Sequence, residues 1–316
     1  MVDSGDVDGL DELLLRALQL DGRAHFSGIA RDLGVSERTL GRRYRRLCAL
    51  GLRVVGRPVA SRLGLTRWLL RLHCATDAAG TVAEALARRP ETSWVTLAAG
   101  GSELYCAVDV RAADGSDAPL LRKLSRTPQV LSMSAHCMLH VFAGATSTWH
   151  ATRFRPEHTP PAADSGAPLP LDAADRTLFT ELSRDGRASV PELAAAAGLS
   201  PSSVRRRLDR LRDGGALSFA VDFDPRLAGY HLITRLWLDV SPARLHSVGR
   251  ALAADPRIAF AAAVTGDANL VASGVFRDPA ELYTYIDRDV GPLPGVHTLR
   301  TAPTLREVKR LALGVR

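Results

Sequence analysis

The chain has 316 residues, which is more than one ordinary domain contains and suits two to four small ones. It is 46% hydrophobic and 24% charged, the composition of a soluble globular protein. Its longest unbroken apolar run, Ile258 to Val264, is far shorter than the roughly 20 residues of a membrane-spanning helix. The 41 Lys and Arg residues outnumber the 34 Asp and Glu residues, and the resulting net charge of +7 favours a polyanionic partner.

The first residues and the cysteines predict a cytoplasmic protein. The segment 1–10 is acidic and lacks the basic, apolar and cleavage-site parts of a secretion signal. The cysteines stand far apart without a CxxC pair, which argues against a zinc ribbon or a disulfide framework; they are Cys48, Cys74, Cys106 and Cys137. We therefore expect no metal and no cofactor.

An internal repeat organises the chain. Shifting the sequence by 164 places aligns residues 11–51 with residues 175–215, and fifteen of these forty-one positions are identical. Within them, Asp21-Gly22-Arg23-Ala24 recurs as Asp185-Gly186-Arg187-Ala188. The match continues through the rest of each copy with a slightly larger shift, so the sequence indicates a duplication.

Each copy begins with three short predicted helices. In copy two, Ser189 and Glu192 have the spacing of a capping box at the second helix, which ends at Gly198. Ser200 begins the third helix, and Ser36 occupies the matching place in copy one. Three helices with a glycine turn before the last one predict a helix-turn-helix unit.

The second part of each copy has the alternating pattern of strands, for example at 67–74 and 232–238. A helix, two strands joined by a glycine-containing turn, a further helix and a last strand follow. The order β-α-β-β-α-β is the ferredoxin-like arrangement. The predicted fold class is therefore α+β, with two winged or trihelical helix-turn-helix domains and two ferredoxin-like βαββαβ regulatory domains.

The predicted layout has five segments. They are a helix-turn-helix domain over 1–58, a regulatory domain over 64–148, a linker over 149–170, a second helix-turn-helix domain over 171–222 and a second regulatory domain over 229–316. The linker is predicted from five prolines mixed with Ala, Ser and Gly and from the lack of periodicity.

The third helix of each trihelical unit carries the functional signal. Residues 36–47 have a local charge of +4 and residues 200–211 one of +3. Such a face is often merely solvated, but both copies place these arginines on the helix that enters the major groove. The predicted DNA-contact residues are Ser36, Arg38, Thr39, Arg42, Arg43 and Arg46 in copy one, and Ser200, Ser202, Ser203, Arg206, Arg207 and Arg210 in copy two. Among them, Arg46 and Arg210 are expected to contact phosphates.

These motifs resemble the Lrp/AsnC family of transcriptional regulators. The similarity rests on 171–175, 185–188, 192–194, 198–200 and 207–211, and more loosely on the same frame in 11–51. It implies a regulator that binds double-stranded DNA and carries a βαββαβ regulatory domain. A typical member has one unit of each kind and dimerises, so the resemblance implies that this chain mimics a dimer, alone or within a homo-oligomer. Its recognition helices are then expected in major grooves about 34 Å apart, or a multiple of that spacing.

The segment 265–270 resembles the family's turn for effector binding and assembly, which implies a small amino-acid-like effector. Backbone amides around Gly266 could receive a carboxylate, and Asp267 or Asn269 an ammonium group. Gly100 and Glu103 stand at the matching places of copy one, whose turn departs from the family pattern. An ordinary tight hairpin explains the same residues.

Two other functions remain open. Some haem-biosynthetic decarboxylases have a similar architecture, although no compact cluster of His, Tyr and Arg indicates a catalytic site here. The chain could also be a ligand-sensing scaffold that does not bind DNA. A metal site is conceivable at His136 and His140, which with Met138 are expected on one strand face, but a third ligand is missing.

Overall fold

The computed structural model describes residues 7–75, 77–111, 119–143 and 167–310. The α-helices are Gly9–Leu20 (α1), Phe26–Leu33 (α2), Glu37–Ala49 (α3), Ala79–Ala87 (α4), Pro119–Ser125 (α5), Ala173–Arg184 (α6), Val190–Ala197 (α7), Pro201–Asp213 (α8), Leu245–Ala254 (α9) and Pro279–Tyr285 (α10). The strands are Arg53–Pro58 (β1), Leu65–Cys74 (β2), Thr92–Ala98 (β3), Glu103–Arg111 (β4), Val130–Ala143 (β5), Leu217–Asp222 (β6), Leu232–Val240 (β7), Ile258–Val264 (β8), Leu270–Phe276 (β9) and Val296–Lys309 (β10). None of the helices in the described ranges is long and apolar enough to cross a membrane.

The trihelical units begin and end where their local chemistry predicts. Asp8 and Asp172 each form a capping box at the first helix of their unit. The second helix of each unit ends at a glycine in the left-handed conformation, Gly34 at φ 65° and Gly198 at φ 63°. These glycines make the turn into α3 and α8.

The two helix-turn-helix units form one body. A single hydrophobic cluster runs through both, with Leu14 and Leu18 of the first unit and Leu178 and Leu182 of the second fully buried. β1 and β6 pair as a two-stranded antiparallel ribbon between the units. The shared core therefore fixes how the units are oriented, because protein interiors are too closely packed to slide.

The two βαββαβ modules are joined into one closed barrel. Its strand order is β10-β3-β4-β2-β5-β8-β9-β7, and β7 returns to β10. The first module supplies β3-β4-β2-β5 and the second supplies β8-β9-β7-β10. They meet where β5 pairs with β8 and where β10 pairs with β3. The helices of each module cover the outer face of its own four strands.

The predicted element order is thus present, and the corresponding parts of the two copies share a core and a barrel. The layout missed the β1–β6 ribbon and the pairing of β5 with β8 and of β10 with β3, all of which join segments more than 100 residues apart. Most of the predicted linker lies outside the described residues. Its end, 167–170, has no regular secondary structure, and the Leu169 amide donates to the Arg62 carbonyl oxygen at 2.7 Å.

Candidate nucleic-acid interface

α3 and α8 are built alike, with one face in the core and one face outward. The Ser36 hydroxyl accepts from the Thr39 amide at 3.1 Å, and the Ser200 hydroxyl accepts from the Ser203 amide at 3.3 Å. These serines cap the two helices as predicted. The inward side chains are fully or nearly fully buried; they are Leu40 and Leu47 in α3 and Val204, Leu208 and Leu211 in α8.

Four of the arginines predicted to contact DNA are bound within their own unit. In the first unit, Arg43 contacts Asp8 at 2.6 Å and Asp11 at 3.0 Å, and Arg46 also pairs with Asp11. Asp11 is completely buried, so these contacts supply the positive charge that its carboxylate requires. The hydrogen bond from Arg43 lowers the pKa of Asp8 below its ordinary value.

The second unit repeats this clamp. Arg207 contacts Asp172 at 2.7 Å and Asp175 at 2.9 Å, and Arg210 pairs with the buried Asp175. The backbone amide of Asp175 and the guanidinium of Arg207 together lower the pKa of Asp172. We call the two sets of ion pairs the α1–α3 clamp and the α6–α8 clamp. The sequence did not predict them, because the partners lie more than 30 residues apart.

Five of the remaining arginines of the two helices face outward, whereas Arg212 of α8 pairs with Asp21 at 3.6 Å. Arg38, Arg42 and Arg45 on α3 are exposed, and their guanidinium groups have no ion-pair partner within the described ranges. On α8, Arg205 and Arg206 are exposed in the same way. Removing the clamped arginines from the predicted set therefore leaves an outward basic face on both helices.

A reciprocal pair of arginines holds the two units together. Arg23 donates from its two terminal nitrogens to the carbonyl oxygens of Gly186 and Ala188, at 2.8 and 2.9 Å. Arg187 donates in the same way to Gly22 and Ala24, at 2.7 and 2.9 Å. These contacts, the reciprocal arginine lock, join the Asp-Gly-Arg-Ala blocks of the two copies. The repeated block is therefore an interface element and not a surface turn.

The glycines of the lock allow this close approach. A Cβ atom built on Gly186 would lie 2.9 Å from the backbone of Val54, and one built on Gly22 would lie 2.8 Å from the Phe219 side chain. Contacts this short are not found for real Cβ atoms, so any larger residue would push the units apart.

The predicted effector turn in copy two is only partly available. Gly266 has φ 112°, as its turn requires, and Asp267 is exposed. The Asn269 amide, however, accepts from the Val240 amide at 2.9 Å and donates to the Val240 carbonyl at 2.6 Å. Asn269 therefore secures the turn to β7 instead of facing a ligand.

The matching turn in copy one also differs from expectation. Gly100 is exposed at φ 69°. Glu103 is buried, where it accepts from Arg71 at 2.7 Å and from the Tyr105 hydroxyl. Burial opposes ionisation of Glu103, but these hydrogen bonds outweigh it and lower the pKa. Glu103 is thus held by Arg71 and Tyr105 inside the protein.

The histidines of β5 do not share a face, contrary to the prediction. His136 packs against Trp237 with ring centroids 4.8 Å apart and the rings tilted by 47°, and its Nδ1 lies 2.7 Å from the Thr265 carbonyl oxygen. A register shift between Met138 and His140 turns the strand, and His140 contacts Phe142. Across the described ranges, no three His, Cys, Asp or Glu side chains are grouped to hold a metal ion.

A cluster of charged side chains, formed by Arg57 of β1, Arg67 of β2 and Asp109 of β4, was not predicted from the sequence. Arg67 and Asp109 form a bidentate pair at 2.6 and 2.7 Å. Arg57 of β1 is only 6% exposed and has no hydrogen-bond or ion-pair partner for its guanidinium among the described residues. Burial and the nearby charge of Arg67 lower the pKa of Arg57 to about 10.

Together, two capped recognition helices with basic outer faces and a βαββαβ barrel define a DNA-binding protein of the helix-turn-helix class with an attached regulatory domain. The sequence profile of the AsnC-type helix-turn-helix domain matches residues 7–47 and 171–212, and that of the Lrp/AsnC ligand binding domain matches residues 236–312. The chain belongs to the Lrp/AsnC family of transcriptional regulators and is a tandem duplication within it, which confirms the predicted relationship and fold class.

Sequence relatives and a solved structure with a similar fold are known. The HTH-type transcriptional regulator FL11 of Pyrococcus horikoshii is 29% identical over 149 residues, which are 46% of this chain and 98% of that protein. An uncharacterized HTH-type transcriptional regulator of Pyrococcus abyssi is 31% identical over 141 residues, 44% of this chain and 89% of that protein. The crystal structure of the siroheme decarboxylase NirDL shares the fold over 96% of this chain and 93% of its own, with a TM-score of 0.66 and 16% identity.

Proposed function

We propose that the chain is a transcriptional regulator that binds one DNA duplex through both recognition helices. The observation that carries this proposal is the pair of outward basic faces on α3 and α8, held in one body by the shared core and the reciprocal arginine lock. A typical helix-turn-helix protein obtains two such helices by dimerising. Here the duplication supplies both from a single chain.

The contacts fall into two groups. Arg38, Thr39 and Arg42 at the start of α3 are assigned to base edges and adjacent phosphates, together with Ser202, Ser203 and Arg206 on α8. The clamped arginines Arg43, Arg46, Arg207 and Arg210 are assigned to holding the recognition helices, and the exposed part of Arg46 and Arg210 keeps them within reach of phosphates. This division follows from which guanidinium groups already have carboxylate partners.

The test is the salt dependence of DNA binding measured by fluorescence anisotropy. Neutralising Arg42 or Arg206 with alanine removes a phosphate or base contact, so each change is expected to weaken binding and to reduce the slope of log K against log salt by up to about 0.9. Arg122→Ala, an exposed arginine on α5, is the matched control and is expected to leave the slope unchanged. Equal slopes for all three variants would contradict the proposed interface.

We also propose that a small amino-acid-like effector binds at the turn between β8 and β9. The family resemblance, the left-handed Gly266 and the exposed carboxylate of Asp267 support this assignment. Because Asn269 is bound to β7, Asp267 is the remaining partner for an ammonium group. Calorimetric titration with a panel of amino acids is expected to detect binding to the wild type that Asp267→Ala weakens. No heat with any member of the panel would exclude this class of effector.

Siroheme decarboxylation is the second candidate function. The observation that favours it is the shared fold with the siroheme decarboxylase NirDL over nearly the whole chain. At 16% identity this likeness concerns the fold alone. The discriminating experiment is anaerobic incubation of the purified chain with siroheme, followed by absorption spectroscopy and product analysis. Loss of carboxyl groups would establish the enzyme, and an unchanged spectrum under conditions where DNA is bound would support the regulator.

A further inference from the structure

The two recognition helices agree at the positions that hold each helix to its own unit. The N-cap serine, the clamp arginines and the buried leucine of the last turn are the same in both, as Ser36, Arg43, Arg46 and Leu47 and as Ser200, Arg207, Arg210 and Leu211. Each of these residues is used within the unit, in a cap, a clamp or the core. The duplicated scaffold has therefore been retained.

The helices differ at the positions that face outward. Arg38 corresponds to Ser202, Gly41 to Arg205 and Arg45 to Asp209. Arg38, Arg45, Ser202, Arg205 and Asp209 are exposed. The shared outward arginine is Arg42 in α3, which matches Arg206 in α8. The differences thus lie where DNA would be read.

These exchanges alter the chemistry that each face can recognise. Arg38 and Arg45 present donors that match the N7 and O6 acceptors of guanine or a phosphate. Ser202 has a shorter side chain that reaches less far toward the bases. Asp209 accepts hydrogen bonds, for example from the amino group of cytosine, and its negative charge is repelled by phosphate. A half-site that suits α3 therefore leaves Asp209 of α8 without a favourable partner.

The order of the two helices is also fixed. The shared core and the reciprocal arginine lock hold α3 and α8 in one body, so the two faces are presented in one fixed arrangement. A dimer of identical single-unit chains would instead present the same face twice and would match an inverted repeat.

We propose that one chain recognises a DNA site that is not self-complementary, with two different half-sites in a fixed order. This inference rests on the proposed DNA-binding function. Arg38 and Arg45 determine the half-site under α3, and Ser202, Arg205 and Asp209 determine the half-site under α8. The site consequently has a direction, which an inverted repeat lacks.

The test is selection of DNA from a randomised duplex library by the purified full chain. A random window of about 26 base pairs accommodates the two helices of one chain at a spacing of one helical turn. The wild type is expected to enrich a motif whose halves are not inverted copies. The triple variant Ser202→Arg, Arg205→Gly, Asp209→Arg gives α8 the residues of α3 at the three exchanged positions and is expected to enrich an inverted repeat of the α3 half-site.

Affinity measurements complete the comparison. The wild type is expected to bind its composite site at least 10-fold more tightly than an inverted repeat of either half, because a mismatched base pair costs about 1–3 kcal/mol. The triple variant Arg38→Ser, Gly41→Arg, Arg45→Asp converts the same three positions of α3 instead and is expected to prefer an inverted repeat of the α8 half-site. Both variants change residues on the outward faces of the helices, and a cooperative thermal transition verifies that each of them folds.

The outcomes separate this inference from the function on which it rests. An inverted repeat selected by the wild type would overturn the inference and leave the DNA-binding function intact. A motif that stays the same in both variants would overturn the assignment of the specificity residues. A library without any enriched sequence would overturn the DNA-binding function, and the inference with it.

Discussion

The reciprocal arginine lock predicts that Arg187→Ala will partly separate the two helix-turn-helix units. The wild-type side chain donates to the carbonyl oxygens of Gly22 and Ala24 and lies with its Cζ 4.5 Å from the centre of the Phe26 ring. Hydrogen bonds from a charged donor contribute about 1.5–3 kcal/mol each, and a cation–π contact about 1 kcal/mol. Because Arg187 is only partly buried, we expect a net loss of about 3 kcal/mol in the free energy of unfolding.

Urea denaturation of the full chain measures this loss. With a slope of about 2 kcal/mol/M, the expected shift of the midpoint is about 1.5 M to lower urea. Arg184→Ala is the matched control, because Arg184 is a surface arginine in the same unit whose pair with Glu181 is worth less than about 1 kcal/mol. If Arg187→Ala and Arg184→Ala unfold at the same urea concentration, the lock does not stabilise the interface and the reasoning is refuted.

Three further substitutions follow from buried contacts. Arg57→Met is expected to raise the free energy of unfolding by up to about 3 kcal/mol, because burial opposes the charge of the Arg57 guanidinium and lowers its pKa. This gain should shrink as the pH rises through 10, where folded wild-type Arg57 loses its proton; Arg67→Met, which leaves a carboxylate unpaired, should destabilise instead. Gly186→Ala is expected to lower the thermal midpoint through overpacking worth about 1–3 kcal/mol, whereas Gly28→Ala, with open space around it, should not. Asn269→Ala is expected to lower the free energy of unfolding by about 2 kcal/mol and to leave effector affinity unchanged. Unchanged stability with weakened effector binding would instead place Asn269 in the effector site.

Local patterns were sufficient for the elements of the fold. The caps at Ser36 and Ser200 and the glycine turns at Gly34 and Gly198 depend on residues a few places apart, so the sequence predicted the trihelical units. The alternation of the strands and their order likewise predicted the βαββαβ modules. Comparing the two copies made these patterns clearer, since chance agreement is unlikely to recur at the same offset.

The functional roles of individual side chains were harder to predict. Arg42 and Arg43 are neighbours in the sequence, yet one faces outward and the other is held by Asp8 and Asp11. Helical periodicity separates the two faces, but it does not predict that carboxylates from α1 and its N-cap lie next to one of them. Asn269 shows the same limit, because its partner on β7 is 29 residues away. Contacts of this kind depend on how the elements pack.

The closed barrel has a consequence for how the chain folds. Cutting the strand order between the copies would leave β3 and β5 as open edges of the first half, and β8 and β10 as open edges of the second. Unpaired edges of this kind promote aggregation, and each of them is complementary to an edge of the other half. During synthesis the first half therefore emerges with both edges unprotected until its counterpart follows. Two separately expressed halves are expected to reassemble as a heterodimer.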